Sequence, residues 1–378
     1  MSLQFITGNS GNGKTKYLFN RIVKEAKANP RDNYLVIVPE QFTMQTQRQL
    51  VDLSENKAIM NIDVLSFKRL AYRVFDELGI TNLTVLEETG KNLVLRKLAA
   101  HEADKLGVIG RNLNRIGYIS EVKSLLSELV QYNISPEELG RYIASGRLSD
   151  TLSDKLKDVL VLYEAFEKFM QDKYITAEEI LNVLSNVAEE SAILRNSVIA
   201  FDEFTGFTPI QNQLIKKLFV ISKKIYVTLT IDCREDIFKS RGMQELFDMP
   251  KRTVKSLTEM AAFYGIEVEE PIILDKNYRL AENEELSFME QQLFRKRRCS
   301  FKKVPKHIHI DCLRDPKQEL TKIARRINEL VRNENLRYRD IAIVTGDVNI
   351  YAGYVREIFD KYNICLLYTS PSPRDRSL

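Results

Sequence analysis

The chain has 378 residues, of which 44% are hydrophobic and 29% are charged. This composition is typical of soluble globular proteins and excludes a disordered chain, a collagen-like chain and a disulfide-rich miniprotein. Lysine and arginine total 56, and aspartate and glutamate total 52, so the net charge is +4. Such a balance permits nucleic-acid binding without arguing for it. Neither a long apolar run nor a signal peptide is evident, so we expect a cytoplasmic protein with no membrane partner.

The N-terminal part of the sequence predicts a strand–helix–strand unit. Residues 3–7 and 34–38 are short apolar runs typical of buried strands, and residues 14–28 carry apolar side chains at helical spacing. A weaker strand is predicted at residues 62–65, followed by a helix through Phe75. This order predicts a parallel sheet with helices on its faces.

Residues 85–184 have a different character, because their apolar residues recur at helical spacing and strand-like runs vanish. Strand-like runs return at residues 197–201 and 225–230. We therefore predict one α/β domain, formed by residues 1–84 and 185–294, that is split by an all-helical insertion.

The rest of the chain predicts a linker and a second domain. Residues 295–306 are rich in lysine and arginine, which favours a solvated linker over a DNA-binding segment. Beyond this run, residues 307–310 and 340–345 resemble strands that flank a helix. Residues 307–365 are therefore predicted to begin a second α/β domain.

The last thirteen residues, 366–378, carry proline, serine and arginine without periodicity, so we expect disorder. They also resemble translated sequencing adaptor. We therefore expect a non-native tail, joined where the native reading frame was lost near Cys365.

A glycine-rich pattern, G-x-x-x-x-G-K-[ST], follows the first predicted strand and opens the first predicted helix. It consists of Gly8, Asn9, Ser10, Gly11, Asn12, Gly13, Lys14 and Thr15, here called the glycine loop. Glycines let successive backbone N–H groups point at phosphate oxygens, and the helix dipole adds positive potential. Lys14 is expected to reach the β- and γ-phosphates of ATP, and the Thr15 hydroxyl to bind Mg²⁺. The alternative is a glycine turn with an incidental lysine.

An ATP-hydrolysing site also needs carboxylates and an arginine. Asp202 and Glu203 end an apolar strand, so Asp202 is the candidate Mg²⁺ partner and Glu203 the candidate general base. The alternative is that both residues merely cap the helix beginning near Pro209. Arg279 is the candidate that neutralises the transferring phosphoryl group, although from spacing alone a solvated surface arginine is the stronger interpretation.

The order of these motifs resembles superfamily-one DNA helicases of the UvrD type. Residues 202–211 follow the outline of their D-E-F-Q-D motif, and residues 277–279 match their N-Y-R motif, whose arginine contacts the γ-phosphate. This resemblance implies an α/β fold of the P-loop NTPase, RecA-like class, in which a parallel sheet is split by a helical insertion. The start of a second RecA-like domain is expected to follow.

A closer resemblance is to the B subunits of AddAB helicase–nucleases, relatives of RecB, over residues 1–365. The strings that carry it, besides the glycine loop, are Ile37–Thr43, Ser66–Ala71, Phe204–Pro209 and Tyr338–Ala342. It implies a protein that binds single- and double-stranded DNA, pairs with an A subunit that is the motor, and scans for the Chi recombination signal. The same family has a nuclease domain and a four-cysteine iron–sulfur cluster, both expected beyond residue 378.

The cysteines of this chain fit no metal-binding spacing and are expected to be reduced thiols. They are Cys233, Cys299, Cys312 and Cys365.

A helicase-like groove uses basic and hydroxyl side chains against phosphates and aromatic rings against bases. The candidates follow the second and third predicted strands: Gln41, Thr43, Ser66, Phe67, Lys68 and Arg69.

Two departures from the active motors affect the expected activity. Gln4 is the only glutamine near the position of their adenine-reading residue, and Thr205–Gly206 replaces the Q-D that couples hydrolysis to movement. Glu203 instead favours some capacity for hydrolysis, because many B subunits have glycine at this position. Three functions therefore remain open: an ATP-hydrolysing helicase–nuclease subunit, a sensor or scaffold that binds ATP without turnover, and an unrelated P-loop enzyme such as a kinase. An active UvrD-type helicase is a further, weaker alternative.

Overall fold

The computed structural model describes residues 1–80, 84–108, 110, 116–146, 148–171, 174–295 and 299–365. The predicted tail at residues 366–378 and the centre of the basic run at 296–298 lie outside these residues. The chain divides into two compact units, Met1–Glu284 and Glu285–Leu378.

The first unit is built on a seven-stranded sheet with strand order β3-β2-β6-β7-β1-β8, and β9 also pairs with β1. Every pairing in this sheet is parallel, which confirms the predicted α/β class with a parallel sheet. The strands of the described residues are β1 (Ser2–Gly8), β2 (Tyr34–Ile37), β3 (Ile62–Leu65), β4 (Val85–Leu86), β5 (Ile175–Thr176), β6 (Val198–Phe201), β7 (Lys224–Thr230), β8 (Glu267–Val268) and β9 (Ile272–Leu274).

Helices cover the sheet and form most of the remaining structure. They are α1 (Lys14–Ala28), α2 (Thr43–Leu53), α3 (Phe67–Leu78), α4 (Glu88–His101), α5 (Ile116–Gln131), α6 (Pro136–Ala144), α7 (Asp150–Met170), α8 (Ile180–Val187), α9 (Pro209–Ile221), α10 (Asp248–Phe263), α11 (Glu284–Gln292), α12 (Pro316–Asn333) and α13 (Val348–Lys361). No helix of the described residues is both long enough and apolar enough to cross a membrane.

Both faces of the main sheet are buried, as expected for parallel strands. Val36 and Ala200 point into one apolar cluster with side chains of α1, and Leu35 and Ile199 point into another with side chains of α3, α9 and α10. Burial on two faces explains why the strands are almost continuous apolar runs. Because the strands are parallel, their carboxyl ends lie at the same edge of the sheet.

The insertion has its own apolar core, contributed by α4, α5, α6 and α7. Its connections carry the short parallel pair β4–β5, so the expectation that residues 85–184 contain no strand is wrong. Two residues per strand are too few to produce a period-two pattern in the sequence. The buried Lys91 ammonium contacts Glu178 at 2.7 Å and thereby links α4 to the turn before α8. Ile180 and Leu184 of α8 pack into the core of the main sheet.

The second unit is helical within the described residues. Leu320 and Ile327 of α12 pack against Phe359 of α13. The strands predicted at 307–310 and 340–345 are not present, and Ile310 and Val344 are 93% and 92% exposed. A strand needs a hydrogen-bonded neighbour, and neither segment has a strand partner among the described residues. The apolar alternation alone therefore predicted these strands wrongly.

Candidate functional site

The glycine loop joins β1 to α1 at the carboxyl edge of the sheet. Gly11 and Gly13 have φ values of 91° and 79°, a left-handed conformation that glycine adopts without steric cost. The Lys14 ammonium donates to the carbonyl oxygens of Gly8, at 3.1 Å, and Asn9, at 3.0 Å. The backbone of the loop therefore curls around the Lys14 side chain, and its carbonyl groups hold the ammonium in place.

Two buried asparagines fix the loop from both sides. The Asn9 Oδ1 atom accepts from the backbone N–H of Cys233, which follows β7, at 2.9 Å. The Asn12 side-chain amide donates to the carbonyl oxygen of Leu274, the last residue of β9, at 2.6 Å. The sequence placed both residues in the loop but gave no signal for this bracing role, because each contact spans more than 200 residues of chain.

Asp202 lies at the end of β6, and its side chain is 1% exposed. Its Oδ1 atom accepts from the Thr228 hydroxyl of β7 and lies 3.3 Å from the Thr15 hydroxyl. Its Oδ2 atom is buried and has no hydrogen-bond partner among the described residues. Sequence reasoning missed Thr228, since only the parallel register of β6 and β7 brings it to the carboxylate.

The pKa values of the site reflect this burial. Removal from water raises the pKa of Asp202 from 3.8 to about 6, against the opposing hydrogen bond from Thr228. Burial also lowers the pKa of the Lys14 ammonium, while the carboxylates of Glu203 and Asp202 act in the opposite direction. In the free protein, the charged forms of Asp202 and Lys14 are therefore destabilised by desolvation. A cation beside Asp202 and an anion beside Lys14 would offset this free-energy cost.

Glu203 is exposed, and its Oε1 atom lies 3.3 Å from the Thr15 hydroxyl. Its backbone φ is 63°, in the left-handed region that is unfavourable for a residue with a Cβ atom. Such strain is commonly found at functional sites and costs about 1–3 kcal/mol. The position is therefore one where glycine would fit the backbone more easily than glutamate.

Residues 275–280, here called the Arg279 segment, follow β9 and lie against the glycine loop. The parallel pairing of β9 with β1 brings them there. Asn277 donates from its side-chain amide to the Ser10 carbonyl oxygen at 2.9 Å. Arg279 donates to the Ser10 hydroxyl at 3.2 Å. The structure thus brings Arg279 onto the tip of the glycine loop, close enough to influence the Lys14 ammonium, which spacing alone did not predict.

The candidate DNA contacts divide into exposed and buried side chains. Gln41, Lys68 and Arg69 are exposed. Thr43 is buried and donates from its hydroxyl to the Glu40 carbonyl oxygen at 3.0 Å. Ser66 is buried as well, and its hydroxyl donates to the carboxylate of Glu40.

Glu40 connects the two motifs from which these candidates come. Besides Ser66, its carboxylate contacts the Arg69 guanidinium at 2.9 Å. It therefore ties the segment after β2 to the start of α3. Sequence reasoning did not single out this glutamate, although it lies inside the Ile37–Thr43 string.

Phe67 belongs to the core rather than to an open surface. Its side chain is 7% exposed. Its ring centroid lies 5.8 Å from that of Phe201 and 5.5 Å from that of Phe204. The interpretation of Phe67 as a base-stacking residue is therefore corrected, because a ring that is packed on both neighbours has no free face for a base.

Two other positions relate to cofactors. Gln4 lies early in β1, and its side-chain amide donates to the Glu270 carbonyl oxygen at 3.1 Å. The four cysteines are free thiols. Among the described residues no three histidine, cysteine or acidic side chains are grouped to hold a metal ion.

Comparisons with known proteins agree with the sequence strings. The family model described as ADDB, N-terminal, matches residues 5–290. A protein of Lachnoclostridium phytofermentans, named as the B subunit of an ATP-dependent helicase/deoxyribonuclease, is 38% identical over 94% of this chain and 31% of its own length. Proteins of the same name from Clostridium tetani and Clostridioides difficile are 32% and 33% identical over 96% of this chain and 32% of their lengths. The chain thus spans about a third of the length of these relatives.

If Asp202 is the Mg²⁺ partner, its raised pKa predicts an affinity for Mg²⁺–nucleotide that depends on pH. Below pH 6 the carboxyl is protonated and a poor ligand, so the affinity should rise about tenfold per pH unit towards 6 and then level off. Calorimetric titration of wild type and Asp202→Asn across this range measures the effect. The nucleotide's own titration is common to both proteins, so the difference between them isolates Asp202. Parallel pH profiles for the two proteins would contradict the assignment.

Proposed function

The chain belongs to the AddB family, and we propose that its first unit binds ATP–Mg²⁺ and single-stranded DNA as part of a helicase–nuclease complex. The observation that carries this proposal is the grouping of the glycine loop, Asp202 and Arg279 at one edge of a parallel sheet. Ligands of open α/β sheets bind at the carboxyl ends of the strands, which is where these groups lie.

The glycine loop suits the phosphates of ATP. Its curled backbone and the N-terminus of α1 form an anion-binding concavity, and Lys14 supplies the positive charge. A phosphate would replace the carbonyl oxygens that the Lys14 ammonium now contacts and would offset the cost of burying its charge. Arg279, which contacts Ser10 at the tip of the loop, is proposed to contact the γ-phosphate.

The residues also fit a magnesium ion. Asp202 offers a buried, unpartnered Oδ2 atom. The Thr15 hydroxyl lies 3.3 Å from the other oxygen of the same carboxylate, Oδ1. These are two donors only, but Mg²⁺ usually binds through one or two protein groups, with phosphate oxygens and water completing its octahedron. Bound there, the ion would neutralise charge on the β- and γ-phosphates. Glu203 is the candidate base that orients and deprotonates the attacking water.

Single-stranded DNA is proposed to follow the same edge of the sheet, over the ends of β2 and β3. Exposed Gln41, Lys68 and Arg69 supply phosphate contacts there. Buried Ser66 and Thr43 hold the backbone that presents them. The ion pair of Arg69 with Glu40 implies that a DNA phosphate competes with a carboxylate for this arginine.

For the whole protein we propose the role that the relatives' name describes. It would pair with an A subunit, act on single- and double-stranded DNA at double-strand breaks for homologous recombination, and recognise a Chi-type signal with its helicase-like half. Such a role would be carried out in the cytoplasm, at the chromosome. The nuclease site and the iron–sulfur cluster would belong to the two thirds of the relatives' length that this chain does not span.

A sensor that binds ATP without turnover is the second candidate. Thr205 and Gly206 stand where active motors carry the coupling Q-D pair, and the carbonyl oxygen of Thr205 instead accepts from the Thr253 hydroxyl of α10 at 3.1 Å. This contact fixes the segment after Glu203 to the body of the unit. The strained backbone of Glu203 also fits a position where relatives can lack the base altogether.

Replacing Lys14 tests the nucleotide site. Lys14→Ala removes the charge that faces the β- and γ-phosphates, and we expect ATP affinity to fall at least about a hundredfold, since contacts to charged groups contribute about 1.5–3 kcal/mol each. Fluorescent-nucleotide titration measures it, with the exposed neighbour Lys16→Ala as control. An affinity equal to that of wild type would remove the assignment of this loop.

Replacing Glu203 separates hydrolysis from sensing. If Glu203 is the base, Glu203→Gln should lower the DNA-stimulated ATPase rate about a hundredfold or more while ATP binding persists, because general bases contribute about 10²–10⁴-fold. Steady-state phosphate release with single-stranded DNA measures the rate. Glu203→Gly relaxes the backbone and removes the carboxylate, so it should be as inactive but no less stable. Equal rates for wild type and both variants would favour the sensor.

A further inference from the structure

The Arg279 segment is attached to the tip of the glycine loop by more than the arginine. The backbone N–H of Tyr278 donates to the Gly11 carbonyl oxygen at 3.0 Å. The side-chain amide of Asn277 donates to the Ser10 carbonyl oxygen at 2.9 Å. Two consecutive carbonyl groups of the loop therefore accept hydrogen bonds from this one segment.

Asn277 uses both ends of its amide. While its Nδ2 atom donates to Ser10, its Oδ1 atom accepts from the backbone N–H of Leu280 at 3.0 Å. The second bond closes the turn that contains Arg279. One side chain thus fixes the shape of the turn and its distance from the loop.

The fit between the two segments leaves no spare room. A Cβ atom at Gly11 would lie 2.7 Å from the Asn277 Oδ1 atom and 2.8 Å from the Arg279 Cβ atom. A Cβ atom at Gly13 would only touch the Tyr278 ring at 3.6 Å. Both glycines are needed for their left-handed backbone conformation, and Gly11 is needed in addition for the close approach of the Arg279 segment.

From this geometry we propose that Asn277 is a positioning residue that clamps Arg279 to the glycine loop and gives the site its preference for a nucleoside triphosphate over a diphosphate. The proposal rests on the ATP site proposed above. Arg279 shares Ser10 with the clamp, at the loop tip, so its guanidinium is held where a third phosphate would extend. A diphosphate would be held by the rest of the loop and would not need this contact.

Affinities of the full chain for ADP and for a nonhydrolysable β,γ-imido analogue of ATP, each with Mg²⁺, test the clamp. Wild type should prefer the triphosphate about tenfold or more, the value of one charge-assisted hydrogen bond. Asn277→Ala and Arg279→Ala should each abolish this preference while leaving ADP affinity nearly unchanged. The double variant should show no further loss, because both side chains act through one contact.

Matched variants separate the clamp from a general effect on the loop. In Gly11→Ala the added methyl group pushes against Asn277, so the preference for the triphosphate should fall. Gly13→Ala should instead lower the affinity for both nucleotides equally. Lys16→Ala removes an exposed charge outside both segments and should leave the preference intact. The clamp would be wrong if Asn277→Ala lost equal affinity for ADP and for the ATP analogue. It would also be wrong if the losses of the two single variants added up in the double variant. If wild type bound neither nucleotide, the ATP site itself would be wrong.

Discussion

The parallel pairing of β6, β7 and β1 is the constraint on which the candidate site depends. Because these strands run in one direction, Asp202, Thr228 and the start of the glycine loop must reach the same edge of the sheet. The Thr228 hydroxyl then meets the Asp202 carboxylate, and Thr15 completes the group from α1. A change of register by one residue would turn Asp202 to the opposite face and separate all three.

The same edge explains how distant parts of the chain share one site. β9 continues the sheet beside β1 and delivers the Arg279 segment onto the glycine loop. On the other side, Glu40 and Ser66 lie in the segments that follow β2 and β3, and their side chains bond to each other. A ligand on the glycine loop would therefore touch the segments after β6 and β9 directly, and the proposed DNA contacts lie further along the same row of strand ends.

Local patterns predicted the N-terminal strand–helix–strand unit well, since strands β1 and β2 are continuous apolar runs and helix α1 carries apolar residues at helical spacing. Helix α1 begins at Lys14 and ends at Ala28, as expected. What the sequence could not show depends on contacts between distant residues: the burial of Phe67 against Phe201, the bracing by Asn12 and the approach of Arg279. The apolar alternation at 307–310 failed for the same reason, because a strand also requires a partner.

The central claim is that one nucleotide binds the glycine loop, the end of β6 and the Arg279 segment together. Amide hydrogen exchange of the full chain, with and without the Mg²⁺-bound imido analogue of ATP, tests it directly. Slower exchange in all three segments, at residues 9–15, 202–204 and 275–280, is the result that this structure predicts. Slower exchange elsewhere with no change in the glycine loop, at a concentration that saturates binding, would contradict it.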